Sequence, residues 1–398
     1  MLKQIISEKA IHITWLSVAI TFCWPISLNS SKTQVFIFKV LQIISVINVS
    51  MLLLPLLYSI YLHFDDIIIV SKSIALSVGL IQVIAQTVIC FVKYDSLQHV
   101  VEEMIIYVKE AQQYEKKIFY KYIEKCHTFY GCSIACMYLT AIAFVIGPVF
   151  SPASFPADAE YPFQIKNIPM KIIIYLQQSL IAFQCAGHAC LSIFGALLLW
   201  FASARFECLA VELQKTTDIG MLIVCVKKQL HIRRYARRVV ISFRFIILCA
   251  MGVSIFSLTL GGIIIITKAP FIVKIQFITL ILTLLTEIYM YAWPADHMKD
   301  MSINVSKSVY NITWYEQTLR MQKNLLNVLI YQQPIILSIN CILPELSLRY
   351  YCSFTATRFE CLCIELQNAT DIDMLTVCIK KQLHFTKINF TKICKKSD

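Results

Sequence analysis

Charged residues are scarce in this sequence. Only 15% of its 398 residues are charged, whereas 58% are hydrophobic. A soluble domain is typically about a quarter charged and about half apolar. Here the apolar residues fall in long runs separated by basic, polar stretches, which is typical of membrane-spanning helices. A soluble fold is excluded, because it would need several helices that are apolar on every face.

The sequence also lacks the residue spacings of metal sites and of intramembrane enzymes. It has 16 cysteines, but half of them lie inside long apolar runs, where cysteine acts as a small buried hydrophobe. The paired Cys and His spacings of zinc sites are absent, and the scattered His, Asp and Cys residues do not converge in facing spans. We therefore expect no metal, no cofactor and no enzymatic activity.

A nucleic-acid-binding motif and a cleavable signal peptide are missing as well. The net charge is +12, but basic residues between apolar runs are typical of loops that face the cytoplasm and its anionic lipid. Nucleic acid is therefore not expected as a partner. Residues 11–26 are moderately apolar and end at Trp24-Pro25 without a small-residue cleavage site. We interpret this stretch as an interfacial or re-entrant helix.

Seven apolar runs are long enough to cross about 30 Å of hydrocarbon at about 1.5 Å per residue. The sequence therefore predicts an all-α, polytopic membrane protein with seven transmembrane helices. The predicted spans are residues 35–63, 67–92, 129–150, 170–201, 241–267, 271–294 and 325–354.

The distribution of Lys and Arg predicts a cytoplasmic N-terminus. With that orientation, 21 basic residues lie in the inner segments and 2 in the outer segments. The inner segments are residues 1–34, 93–128, 202–240 and 295–324, and the outer ones are 64–66, 151–169 and 268–270. A G-protein-coupled receptor is disfavoured, because it needs its N-terminus outside. A transporter is disfavoured because repeated groups of spans and charge clusters at the midplane are absent.

The connections predicted to be inside are long and amphipathic. Residues 101–125 and 205–240 each mix apolar and charged residues as an amphipathic helix does, so we expect long cytoplasmic helical extensions of the spans. The outer loop 151–169 instead holds four prolines, which favour irregular, packed structure. We interpret this loop as a lid over the outer ends of the helices.

An internal repeat marks the end of the chain. Residues 201–231 recur at 354–384, with 21 identities in 31 positions. The first copy is predicted inside, whereas the second follows the seventh span and is predicted outside. We therefore divide the chain into a seven-span domain, residues 1–354, and a tail, residues 355–398, that duplicates the 202–231 region. The tail is interpreted as a duplicated exon or a mis-joined gene prediction, and a genuine functional tail is the alternative.

The stretch 285–354 resembles the C-terminal signature of insect odorant receptors. The sixth span ends in EIYMYAWPADHMKDMS, similar to that family's aromatic-rich helix end, polar turn and serine. Next, SVYNITWYEQ has the family's Tyr–x3–Trp spacing, and the last span has a proline where the family has one. The matching residues are Trp293, Ser302, Tyr310, Trp314 and Pro334. Gustatory receptors share this architecture, so a gustatory-type ligand-gated channel is the alternative.

The resemblance implies a ligand-gated, cation-permeable channel in the plasma membrane of an olfactory neuron dendrite. It implies that this chain is a tuning subunit, which binds a volatile odorant and assembles with a shared co-receptor as a tetrameric hetero-oligomer. Membrane lipid is the other expected partner. The resemblance also implies that the seventh span lines the pore and that the ligand occupies the outer half of the bundle.

A pocket for a volatile ligand should be mostly apolar and aromatic, with a few polar groups. The outer ends of spans two, three, four and six supply candidates, for each of which ordinary helix packing is the competing interpretation. They are Ser71, Ser73, Tyr138, Phe144, Tyr175, Gln178 and Phe277. For the pore, Leu346, Tyr350 and Phe354 lie four apart on one face of the last span, where an apolar constriction can gate by dewetting. Packing against a neighbouring helix is the alternative for that face.

Ionisable residues inside the predicted spans complete the candidates, since burying charge in lipid is costly. They are Lys72, His188, Arg244, Glu287, Glu345 and Arg349. For His188, we expect a buried imidazole with satisfied hydrogen bonds.

Overall fold

The computed structural model describes most of the chain up to Tyr310 and short pieces after it. The described residues are 2–150, 155–157, 159–163, 165, 167–216, 218–266, 270–310, 318–320, 322–323, 325, 334–337, 346–349, 351–353 and 356. Within these ranges all regular secondary structure is helical, which confirms the predicted all-α class.

The described helices differ widely in length. In chain order they are α1 (Leu2–Val18), a 3-10 turn (Ala19–Thr21), α2 (Lys32–Leu62), α3 (Ile67–Val92), α4 (Tyr94–Glu110), α5 (Gln113–Phe150), α6 (Ile168–Ala189), α7 (Leu191–Gln214), α8 (Ile219–Ile266) and α9 (Phe271–Tyr310).

Six helical segments of the described part are long and apolar enough to cross a membrane. They are Lys32–Leu62, Ile68–Val92, Gln113–Phe150, Ile168–Gln214, Ile219–Gly262 and Phe271–Tyr310. These segments contain, within a few residues, the first six predicted spans. Most of the seventh predicted span, 325–354, and of the tail, 355–398, lies outside the described residues.

Three of these helices continue far beyond the apolar runs. α5 begins at Gln113, α8 begins at Ile219, and α9 continues to Tyr310. A continuous helix satisfies its own backbone hydrogen bonds through the membrane interface, and its amphipathic end can pack on neighbouring helices. The predicted helical extensions of the spans are therefore confirmed.

Neither amphipathic stretch forms a single helix: residues 205–240 are divided between α7 and α8, and residues 101–125 are divided at the break between α4 and α5. Glu115 stabilises this break: its carboxylate accepts the Gln112 N–H at 2.6 Å and the Tyr107 hydroxyl at 2.5 Å. A carboxylate in the first turn of α5 also interacts favourably with the positive end of the helix dipole. Helical periodicity alone does not reveal that the Glu115 side chain takes up these hydrogen bonds at the break.

The fourth predicted span, 170–201, is formed by two helices, α6 and α7, which meet at Cys190. Just before this junction, α6 packs closely on the 3-10 turn. A Cβ added at Gly187 would lie 2.6 Å from Thr21 Cγ2 and 2.8 Å from Ile20 Cγ2. Because any larger residue would clash, Gly187 allows α6 to pack directly on the 3-10 turn.

Polar caps fix the starts of the first two spans. Ser31 and Gln34 form a capping box, in which each side chain accepts the backbone N–H of the other residue. Asp66 accepts the backbone N–H groups of Ile68 and Ile69 at the start of α3. These caps explain why the observed starts lie close to the predicted ones.

α7 is the central helix of the bundle. In the segment formed by α6 and α7, 83% of the apolar 18-residue stretch is buried inside the protein. The corresponding share is 11% to 50% in the other five segments. α7 packs most extensively on α9, with Gly195 close to Tyr291 and Phe243. α1 lies on α5 and α7, so the stretch predicted to be interfacial or re-entrant contacts the core of the protein.

Candidate ligand-binding site and pore

Gln178 on α6 joins the loop between α5 and α6 to the helical bundle. Its Oε1 accepts the Ala157 N–H at 2.9 Å, and its Nε2 donates to the Tyr161 hydroxyl at 3.1 Å. Ala157 is buried in an apolar cluster to which α2, α3 and α6 contribute Val49, Leu52, Leu56, Leu80, Val83 and Ile181. The described part of this loop therefore covers the cluster, as a lid does.

Phe144 packs against the same apolar cluster from α5, and it also contacts a second cluster of small residues, Ala141, Ala182 and Ala186. The structure thus brings Phe144 and Gln178 to one region beneath the α5–α6 loop. Burial raises the pKa of Tyr161, so its hydroxyl stays protonated. The region combines apolar walls, an amide and a phenol, which is the composition expected of a site for a small organic ligand.

Two predicted ligand residues use their hydroxyl groups to connect helices. Tyr175 on α6 donates to the Val145 carbonyl of α5 at 2.6 Å. Tyr138 on α5 donates to the Ser17 carbonyl of α1 at 2.7 Å. Both side chains are partly buried and connect helices, so a ligand that used either hydroxyl would compete with these bonds.

The other three predicted ligand residues lie on α3 and α9. Ser71 and Ser73 are buried on α3, and the Ser73 hydroxyl lies 3.4 Å from that of Ser59 on α2. Phe277 is buried in a separate cluster with Leu260, Ile264 and Val273, where α8 meets α9. Of the seven predicted residues, Phe144 and Gln178 are the two that the structure brings together beneath the α5–α6 loop.

A buried polar network connects α3, α6 and α9. Gln82 donates from Nε2 to both carboxylate oxygens of Glu287, at 3.1 and 3.3 Å. His188 Nδ1 lies 3.2 Å from Gln86 Oε1, and its Nε2 lies 3.2 Å from Thr87 Oγ1. His188 is buried, as expected, and a proton on Nδ1 lets it donate to Gln86, whereas the Thr87 hydroxyl near Nε2 donates to the Val83 carbonyl at 2.8 Å.

Sequence reasoning identified His188 and Glu287 singly but missed the network that contains them. The available signal was the pair Gln82 and Gln86, whose spacing of four places both amides on one face of α3. Polar groups buried among apolar helices need hydrogen-bond partners. Two amides on one face of a membrane helix therefore indicate polar side chains on a neighbouring helix.

An ionic cluster ties α4, α7 and α8 together. Glu103 accepts from Arg205 at 2.7 Å and from Arg238 at 2.8 Å. The Arg205 guanidinium is almost fully buried and faces the rings of Tyr107 and Tyr235, at 4.5 and 5.2 Å from their centroids. Burial, and then the hydrogen bond to Glu115, raise the pKa of Tyr107, so its hydroxyl remains a donor.

The motif residues on α9 have packing roles. Trp293 lies nearly parallel to Tyr130 and Tyr289, and perpendicular to Trp200 at 5.2 Å between centroids. Ser302 accepts the Ile335 N–H at 3.2 Å and so holds the segment 334–337, which begins at Pro334, against α9. Tyr310 is exposed at the end of α9, and Trp314 lies outside the described residues.

Of the three predicted pore residues, the structure describes only Leu346. Its side chain is buried in the main core, and its N–H donates to the Leu337 carbonyl at 2.8 Å. Tyr350 and Phe354 lie outside the described residues. Nearby, the Tyr351 ring packs on Tyr289 of α9, so the described end of the last span contacts the aromatic group around Trp293.

Among the described residues, no group of three or more His, Cys, Asp or Glu side chains is placed to hold a metal ion.

Comparisons with known proteins give a family and a fold. The sequence profile described as 7tm Odorant receptor matches residues 66–357. The fold is similar to that of the insect olfactory receptor OR5 from Machilis hrabei, with a TM-score of 0.75 and 15% identity over 92% of this chain and 100% of that chain. The same receptor in complex with eugenol gives a TM-score of 0.74 at 14% identity, again over 92% of this chain and 100% of that one. A comparison with curated proteins finds no match.

Proposed function

The chain belongs to the 7tm odorant receptor family, and from this membership we propose that it is the odorant-binding subunit of a ligand-gated cation channel. The observation that carries the proposal is the extent of the family match. Residues 66–357 take in every helix from α3 to α9. The fold shared with an insect olfactory receptor supports the same assignment.

The proposed odorant site lies beneath the α5–α6 loop, around Phe144 and Gln178. Support comes from the apolar cluster under this loop and from the two hydrogen bonds that Gln178 makes to it. A solved relative binds eugenol, a small organic molecule with apolar and polar parts. A volatile ligand of that general kind suits an aromatic wall with one amide beside it.

We further propose that the chain assembles with a co-receptor subunit, as a tetramer in the plasma membrane of olfactory neuron dendrites, with its N-terminus inside. The first part of α8, which lies outside the predicted spans, exposes apolar side chains that a partner subunit could cover. They are Met221, Ile223, Val224 and Leu230. Exposed apolar groups on a stem that lies in water indicate a protein contact.

The pore is proposed to be formed by the seventh span, with Leu346, Tyr350 and Phe354 at an apolar constriction. Leu346 is buried within the single chain, so opening of the pore would require a change in how the last span packs on α9. The contact between Tyr351 and Tyr289 is one that such a change would alter.

The test is co-expression with an insect odorant co-receptor in oocytes, with a panel of volatile odorants under voltage clamp. We expect a cation current that requires both subunits and an odorant. Phe144→Ala should raise the half-effective odorant concentration by about ten-fold or more, since it removes much of an aromatic wall. Leu282→Ala is the matched control, because Leu282 faces outward on α9. An equal half-effective odorant concentration in the two variants would contradict the proposed ligand site. The absence of an odorant-dependent current in every combination of subunits would contradict the proposed channel.

A further inference from the structure

A cavity of about 470 Å³ lies between α1, α4, α5 and α7. Its volume is in the range of small-molecule sites. Most of its lining is apolar or aromatic, and representative side chains are Ile11, Met104, Phe119, Ile134, Leu197 and Trp200. The cavity lies away from the proposed odorant site, because Phe144 is about 15 Å further along α5 than Ile134, at 1.5 Å per residue.

The cavity is elongated along the helices. On α5 its lining extends from Phe119 to Ile134, and on α7 from Ile193 to Ala204. At 1.5 Å per residue these stretches are roughly 22 and 16 Å long. Both stretches cross the ends of the predicted spans, 129–150 and 170–201. The cavity thus extends from the hydrocarbon layer to the membrane interface, on the side where the helical extensions of the spans lie.

The polar groups of the lining divide into two kinds. Two polar groups inside have protein partners: Thr14 donates to the Ala10 carbonyl, and the Tyr130 hydroxyl accepts the Trp200 indole N–H at 3.0 Å. The lining residues with acidic, basic or imidazole side chains, by contrast, are exposed, which places the opening beside them. They are Lys9, Glu124 and His127. The interior therefore suits hydrocarbon, and the opening suits a polar headgroup.

α1 places this opening at a lipid surface. Trp15 and Leu16 are exposed on it, whereas Ile13, which is also exposed, lines the cavity. Tryptophan and apolar side chains on one exposed face are typical of helices that lie in the membrane interface. An elongated apolar cavity with its opening beside such a helix is directly accessible from the lipid layer.

We propose that this cavity binds one acyl chain of a membrane phospholipid, with the headgroup at the opening beside Lys9 and His127. The bound chain would fill the space between α1 and the bundle and hold the N-terminal helix on α5 and α7. The site is separate from odorant binding, and its test does not depend on channel activity.

The experiment uses a phosphatidylcholine that carries a photoreactive diazirine at the end of one acyl chain. The full chain, assembled with its co-receptor, is placed in nanodiscs of phosphatidylcholine and phosphatidylserine that contain this probe, irradiated, and mapped by mass spectrometry. Ile193, Trp200 and Phe201 line the cavity but are buried. Label on these residues therefore requires entry of the acyl chain.

Gly131→Leu is the decisive variant. Gly131 lines the cavity, and a Cβ added there meets no atom within 4 Å, so a leucine side chain would extend into the empty space. Gly147→Leu is the matched control, because Gly147 lies on the same helix, is equally open and does not line the cavity. Ala10→Leu fills the cavity from α1 and serves if Gly131→Leu fails to assemble on size-exclusion chromatography.

We expect label on the buried residues in the wild type and in Gly147→Leu. In Gly131→Leu or Ala10→Leu that label should fall about five-fold or more, since a filled interior leaves no room for a chain. Label confined to outward-facing residues such as Phe36 and Leu54, or equal label in filled and control variants, would overturn the proposal. Labelling by a diazirine fatty acid but not by the phospholipid would overturn the assignment to a phospholipid.

Discussion

Single residues set the closest approaches in this bundle. At Gly195 on α7, an added Cβ would lie 2.6 Å from Tyr291 Cε1 and 2.9 Å from Phe243 Cδ1. Small residues at such crossings let helices approach closely in membranes, where packing rather than the hydrophobic effect drives association. The sequence shows a glycine inside an apolar run, but it does not show which ring faces it, because that depends on how distant helices meet.

Gly195→Ala should destabilise the protein by about 1–3 kcal/mol, because the methyl group forces Tyr291 or Phe243 to move in a packed core. Gly252→Ala is the control, since nothing lies within 4 Å of a Cβ added there. Thermal unfolding of the detergent-solubilised variants, followed by size-exclusion chromatography with fluorescence detection, measures the difference. Equal midpoints for the two variants would contradict the tight crossing.

At the scale of elements, α6 connects the other helices through its amides. Gln177 reaches the Asn48 carbonyl on α2, Gln178 holds the α5–α6 loop, and Gln184 donates to Ser45 on α2. Helix positions and starts could be predicted from apolar runs and caps, as for Asp66 at the start of α3. The break before α5 and the packing of the loop could not be predicted, because both depend on hydrogen bonds between residues whose pairing the sequence does not specify.

Gln178→Leu should loosen the α5–α6 loop, since it removes both the acceptor of the Ala157 N–H and the donor to Tyr161. Hydrogen–deuterium exchange should become about ten-fold or more faster at Ala157, because its amide loses a buried hydrogen bond. Gln177→Leu provides the comparison, as its observed bond goes to α2. If both variants exchange at the same rate at Ala157, Gln178 does not hold the loop.

At the scale of the whole molecule, the all-helical architecture could be predicted from the sequence, because long apolar runs in lipid can satisfy their backbone only as helices. The candidate site could be predicted only in part. Phe144 and Gln178 lie together beneath a loop, whereas Phe277 lies in a separate apolar cluster. Span ends are readable from hydropathy, but the rotation of each helix about its axis depends on its neighbours.

The orientation in the membrane remains a prediction from the excess of Lys and Arg on one side. An epitope inserted after Asp65, between α2 and α3, should be accessible to antibody on intact cells. An epitope after Lys215, between α7 and α8, should become accessible only after permeabilisation. Both positions are exposed and lie between helices, so they are matched. The opposite pattern would place the N-terminus outside.

The most direct test of the central claim is a current recorded from excised outside-out patches that contain this chain and a co-receptor. The pipette solution lacks GTP and contains GDPβS, so no G protein can carry the signal. A channel that is itself gated by the odorant should open within milliseconds of odorant application and pass cations. A response that is lost on excision, while it persists in intact cells, would contradict the account.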